Sequence, residues 1–152
     1  MSSIIYLDVC CLKRPFDDQR ATRVQLERAA VAALIERAER GELRLVRSPA
    51  HIVENDRNPR EDRWLATTSW LNGTQVEAAL TEGAMVRARE LGRLGFAPLD
   101  ALHTAFAEES GADSLATTDD GLIALGQRHR EKLRVSITNP TLLLQKLAGG
   151  EP

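Results

Sequence analysis

Cysteine is scarce in this chain, and its two copies, Cys10 and Cys11, are neighbours. Adjacent thiols cannot staple distant segments, and no second pair exists for a zinc site or a disulfide framework. A reducing cytoplasm is therefore the expected location. Long apolar runs are also missing. No stretch approaches the ~20 residues that a membrane-spanning helix requires. Met1 to Leu7 lacks a basic leader, so no signal peptide is expected. Lysine is rare too: 17 of the 20 basic residues are Arg. The guanidinium fork suits phosphate, but a net charge of -2 argues neither for nor against a nucleic-acid partner. Only a local basic surface would do so.

What is present is a soluble, globular composition, 43% hydrophobic and 28% charged over 152 residues. That length suits one domain, expected over residues 1–148 with a frayed tail at 149–152. The run Ile4-Ile5-Tyr6-Leu7 reads as a strand buried on both faces, stopped by Asp8. Residues 13–19 read as a loop, with Pro15 as a breaker. A helix follows from Ala21 to Arg40, closed by Gly41. Leu43–Val46 is a second strand, and Ser48-Pro49 a cap and first turn leading to Ile52, Val53 and Glu54. Asn58-Pro59 interrupts that helix, and a new one starts near Arg60.

Thr74–Val76 offers a third, short strand before a helix over Glu77–Leu91. A helix from Asp100 to Ser110, a strand at Ser114–Thr117 and a helix from Asp120 to His129 follow. Arg134–Ile137 is the last strand, and Asn139-Pro140 opens the closing amphipathic helix. Such alternation specifies an α/β fold, a three-layer α/β/α sandwich around a mostly parallel sheet.

In this pattern Asp8, Glu54, Asp100 and Asp119 fall where strands end or helices begin. A parallel sheet gathers those positions at its carboxyl edge, where open α/β sheets bind ligands. Each acid alone has an ordinary explanation: Asp100 and Asp119 as helix caps, Glu54 as a solvated helix residue, Asp8 as a turn. Together they repel one another unless a cation holds them, and oxygen ligands suit Mg²⁺ or Mn²⁺.

The segments Ile5-Tyr6-Leu7-Asp8, Glu54 in its short helix, Asp100-Ala101-Leu102-His103-Thr104-Ala105 and Ala116-Thr117-Thr118-Asp119 resemble the four acidic motifs of PIN-domain ribonucleases. That group includes the VapC-like toxins of bacterial toxin–antitoxin modules. The resemblance runs in order along nearly the whole chain. It implies a metal-dependent endoribonuclease with Asp8, Glu54, Asp100 and Asp119 as catalytic acids, and Asp8, Asp100 and Asp119 on Mg²⁺ or Mn²⁺. It also implies an RNA substrate and a cognate antitoxin. One departure is that Val9, Cys10 and Cys11 follow Asp8 where many members carry Ser or Thr. Asp56 competes with Glu54, and Asp120 with Asp119; Asp119 is preferred because it comes sooner after the strand.

Arg14, in the loop after Asp8, is the candidate for gripping a substrate phosphate. His103, one helical turn beyond Asp100, reads first as a satisfied, partly buried side chain. The basic run Arg128, His129, Arg130, Lys132 and Arg134 falls at the sheet edge opposite the acids. Trp64 and Trp70 suit packing in a helical hairpin or a homodimer interface. A haloacid-dehalogenase-like phosphatase needs an acid where Cys10 stands, and a receiver domain needs a Lys that no strand end provides. The remaining rival is a PIN-like module that binds RNA or protein without cutting.

Overall fold

In the computed structural model, which describes residues 3–149, five parallel strands form one sheet in the order β3-β2-β1-β4-β5. These are β1 (Ser3–Leu7), β2 (Leu43–Arg47), β3 (Val76–Glu77), β4 (Ser114–Ala116) and β5 (Ser136–Thr138). Among the described residues there are eight α-helices: α1 (Val9–Lys13), α2 (Thr22–Glu39), α3 (Pro49–Asp56), α4 (Glu61–Asn72), α5 (Glu82–Arg93), α6 (Pro98–Glu109), α7 (Asp120–Arg128) and α8 (Pro140–Ala148). They cover both faces of the sheet, giving a three-layer α/β/α sandwich.

The strands read as apolar runs because both faces are covered. On one face, Ile5 and Leu7 of β1 meet Val31 and Leu34 of α2 and Leu143 of α8. On the other, Tyr6 and Leu115 meet Leu91 of α5, Phe106 of α6 and Leu122 of α7. Phe106 is buried, so truncation to Ala would cost about 3–5 kcal/mol. Gly41 stops α2 as its position predicts: at φ 79° its N–H bonds the Ala38 carbonyl, a left-handed cap that a side chain would strain.

Several boundaries differ from the sequence reading. Residues 9–13 form a helix and Arg14–Phe16 a 3₁₀ turn, so the loop expected over 13–19 is helical through Phe16. β3 lies at Val76–Glu77, after Thr74, because Val46 and Arg47 of β2 pair with those two residues. α5 begins only at Glu82, since the Thr81 hydroxyl caps Ala84 N–H at 3.0 Å. α6 begins at Pro98, so Asp100 lies inside the first turn and is no N-cap. β5 starts at Ser136, because the Arg134 N–H goes to Glu108 Oε2 at 2.8 Å. Of the predicted frayed tail, Gly149 closes α8, and residues 150–152 lie outside the described residues.

From β1 the chain winds outward through β2 to β3, then returns across to β4 beside β1 and on to β5. The reversal lies between β1 and β4, where a crevice opens at the carboxyl edge. Register fixes its walls. Leu7 pairs with Ala116, Ala116 pairs with Thr138, and the Asp8 N–H closes on the Ala116 carbonyl at 2.9 Å.

Candidate metal centre

Asp8 leaves β1 at this switch point and caps α1, so its carboxylate is nearly buried yet well supplied with donors. Oδ1 accepts the Val9 N–H at 2.8 Å, and Oδ2 accepts the Thr117 hydroxyl at 2.8 Å. Cys10 Sγ stands 3.5 Å from Oδ2 and 3.4 Å from Thr117 Oγ1. The hydroxyl missing from the residues after Asp8 is thus supplied across the sheet, from the end of β4. In this chain Cys10 fills the space beside it.

Glu54 reaches the same place from α3. Its Oε1 lies 2.8 Å from His103 Nε2 on α6, and that nitrogen is 3.8 Å from Asp8 Oδ1. One oxygen of Asp8, one of Glu54 and one ring nitrogen of His103 all lie within 4.8 Å of each other. Asp56, the competitor, faces elsewhere: its carboxylate accepts the Trp64 indole N–H at 2.9 Å. Trp64 therefore belongs to the α3–α4 hairpin, which Asn55 also ties through the Trp64 carbonyl at 3.2 Å. Trp70 packs near Phe16, with ring centroids 6.4 Å apart.

Behind His103 runs a buried polar chain that sequence reasoning missed. His103 Nδ1 bonds the Tyr6 hydroxyl, which in turn meets Ser48 Oγ at 2.6 Å. His51 lies under Tyr6 with ring centroids 4.4 Å apart. Its Nδ1 accepts the Ser48 N–H at 3.1 Å and its Nε2–H donates to the Leu7 carbonyl at 2.6 Å. Burial, then repulsion from His103, lowers the His51 pKa to about 3, so it stays neutral. Burial also raises the Tyr6 hydroxyl well above its ordinary value. With His51 fixed in that tautomer, a consistent assignment runs Ser48 O–H to Tyr6, Tyr6 O–H to His103 Nδ1, and His103 Nε2–H to Glu54. His103 then acts as the clamp on Glu54.

Asp100 is half-buried in the first turn of α6. Burial, reinforced by the negative charges of Asp8 and Asp119, raises its pKa to about 6. Asp100 and Asp119 stand outside the group whose ligand atoms lie within 4.8 Å of one another, which among the described residues is Asp8, Glu54 and His103. Asp119 follows β4 and caps α7, its Oδ1 accepting Gly121 N–H at 2.9 Å and Leu122 N–H at 3.2 Å. Asp120 is held apart by the Arg23 fork, at 2.8 and 2.7 Å.

Arg14, the phosphate candidate, has its guanidinium committed to Asp17 at 2.8 Å and Glu27 at 2.9 Å. Gripping a phosphate would require leaving both. Glu27 itself escaped the sequence reading. It is fully buried on α2, with Arg14 on one oxygen and Arg23, at 3.1 Å, and Asn139, at 2.6 Å, on the other. The chain matches no protein-family model and no curated protein, so its reading rests on this geometry and on the motifs. No helix of the described residues is long and apolar enough to cross a membrane.

Proposed function

We propose that this chain is a divalent-metal-dependent endoribonuclease of the PIN type, the toxin of a toxin–antitoxin pair acting in the cytoplasm. The observation that carries the reading is the approach of the Asp8 and Glu54 carboxylates at the switch-point crevice, where one oxygen of each and the His103 nitrogen that clamps Glu54 lie within 4.8 Å of each other. Asp100, raised to about 6 by burial and by its acidic neighbours, adds a fourth group. The cluster fits a hard divalent ion. Its donors are mainly carboxylate oxygens, no Lys or Arg among the described residues neutralises them, and Mg²⁺ or Mn²⁺ suits such a set.

Asp8 and Asp100 would hold the ion, with Glu54 and Asp119 completing the set or fixing its waters. Asp119 keeps Oδ2 outside its helix cap for this purpose. When bound, the metal supplies an activated water and neutralises charge on the phosphodiester. The chain's own groups do the positioning. Thr117 aims Asp8 by its hydroxyl, and His103 holds Glu54 in place, backed by Tyr6 and Ser48. Such outer contacts set ligand orientation and are commonly worth 10–100-fold in metal affinity or activity.

Two partners complete the reading. An antitoxin would insert an Arg into the acidic crevice, where a guanidinium fork pairs with two carboxylates. A homodimer would cover the exposed apolar side chains Ile52, Val53 and Leu65 on α3 and α4. The test is RNA cleavage by purified protein in Mn²⁺ and in chelator, followed by expression in a bacterial host with and without the adjacent small gene. Metal-dependent cutting, with growth arrest relieved by the neighbour, is the expected outcome. Cutting that persists in chelator would overturn the metal dependence, no cutting in Mn²⁺ would overturn the nuclease assignment, and growth unaffected by the chain would overturn the toxin assignment.

A further inference from the structure

The proposed substrate is a polyanion, while the proposed site is a nest of acids on a chain of net charge -2. Coulomb repulsion at that edge must be offset elsewhere if RNA is to stay bound. One surface has the means. A groove of about 590 Å³ follows the free edge of β5, lined by Gln127, Arg130, Arg134, Ser136, Thr138 and Lys146. Three of these are exposed cations that form no ion pair among the described residues; the pairs on this side belong to Arg87, with Glu108 and Glu90. The one acid in the groove, Asp113, is already occupied by the Ile4 N–H at 2.9 Å.

The cations are presented by a braced backbone. Glu108, buried, accepts the Arg134 N–H at 2.8 Å and pairs with Arg87 at 2.7 Å. Arg87 also donates to the Lys132 carbonyl at 2.6 Å. The turn is thus pinned from beneath while the Arg130 and Arg134 side chains stay outside. Gly126 closes the wall: a Cβ there would lie 2.8 Å from Ile137 Cβ, so α7 sits directly on β5. In the parallel ladder Ser136 N–H turns to the Asp113 carbonyl, and the Thr138 carbonyl accepts the Thr117 N–H. The intervening Ile137 leaves its N–H and carbonyl toward the groove. Thr138, at the carboxyl end of β5, lines the groove and accepts the Thr117 N–H, and the Thr117 hydroxyl in turn holds Asp8 one strand away.

We infer that this groove binds the sugar–phosphate backbone of single-stranded RNA that runs from the acidic crevice along the β5 edge. The inference rests on the proposed RNA substrate and adds where the strand lies. No aromatic side chain lines the groove, so the recognition is of backbone charge, not of bases. An acidic peptide added as a further strand is the competing occupant. RNA is favoured because three cations unpaired among the described residues line the groove and Thr138, at its carboxyl end, lies one strand from Thr117, which holds Asp8.

The test measures binding of a fluorescein-labelled oligouridine by anisotropy in chelator, where nothing is cut. The wild-type chain is compared with Arg130→Ala/Arg134→Ala/Lys146→Ala. A control, Arg28→Ala/Arg37→Ala/Arg44→Ala, removes the same charge from α2 and β2. The groove variant should bind at least roughly tenfold more weakly, and its salt slope should fall by about 2, at ~0.7 per lost phosphate contact. The control should change little. Equal losses in both variants, or none in the groove variant, would overturn the inference. So would binding of polyglutamate in place of RNA. Because no cleavage is read, RNA binding lost with the groove would stand even if the nuclease proposal failed, and cleavage with an unaffected groove variant would separate them the other way.

Discussion

Two groups of carboxylates sit at opposite poles of the same problem. Glu27 is buried on α2, and the chain answers its charge completely, with Arg14, Arg23 and Asn139. Asp8 and Glu54 are gathered with His103 at the carboxyl edge, Asp100 and Asp119 stand at the starts of α6 and α7, and no Lys or Arg pairs with any of the four among the described residues. A neutralised carboxylate is a fastening. Glu27 ties the turn after α1 to α2 and to the cap of α8, and through Arg23 it reaches the Thr118 carbonyl and Asp120. An unneutralised group is short of positive charge, and the Asp8, Glu54 and His103 atoms could hold a cation.

Substitutions at the two poles should therefore behave oppositely. The largest effect is expected for Asp8→Asn. Mn²⁺-dependent RNA cleavage should fall by ~10³-fold or more, equivalent to about 4 kcal/mol of barrier, while chemical denaturation in chelator shows no loss of stability. Glu27→Ala reverses that pattern. Glu27 is buried but Arg14 and Arg23 keep access to solvent, so losing its hydrogen bonds should lower the unfolding free energy by about 1–3 kcal/mol. Urea denaturation reads this directly, and an unchanged midpoint would show that Glu27 is no fastening.

A third effect follows from Asp100. Its folded pKa, near 6, lies above the ordinary carboxylate value, so the folded state binds the proton more tightly than the unfolded chain. Below pH ~4 both states are protonated and the group contributes nothing to the slope. Between roughly pH 4 and 6 the unfolded chain ionises first, so metal-free stability should fall as pH rises. Asp100→Asn should flatten that window, and an unchanged stability profile in the variant would contradict the clustering of acids. The smallest effect belongs to Arg40→Gln. Arg40 is exposed, so losing its contacts with Glu36 and Glu42 should cost no more than ~1 kcal/mol. Thermal unfolding would detect anything larger.

The edge acids were legible in the sequence and Glu27 was not. An apolar run ending in Asp8, and Asp119 after Ser114–Ala116, announce strand ends whatever the tertiary details, because a doubly covered parallel strand has a recognisable composition. The choice between Glu54 and Asp56 needed the structure, since only packing shows that Trp64 takes Asp56 and His103 takes Glu54. Glu27 sits between Leu26 and Arg28 in a helix whose other charges are solvated. Its burial comes from the arrival of Arg14 and Asn139, residues 13 and 112 positions away. His51 and Tyr6 likewise read as filler, and their roles arise from stacking across β1 and α3.

The most direct measurement of the central idea, that the edge acids are a metal site, needs no RNA. Purified wild type and Asp8→Asn are unfolded thermally in chelator and again with saturating Mn²⁺. The wild type should gain stability with metal, about 2.7 kcal/mol at 100 times the dissociation constant, and Asp8→Asn should gain little from an equal or higher metal-free starting point. If Mn²⁺ left the wild type unmoved, or stabilised both proteins equally, the acids at the carboxyl edge would not be the metal centre described above.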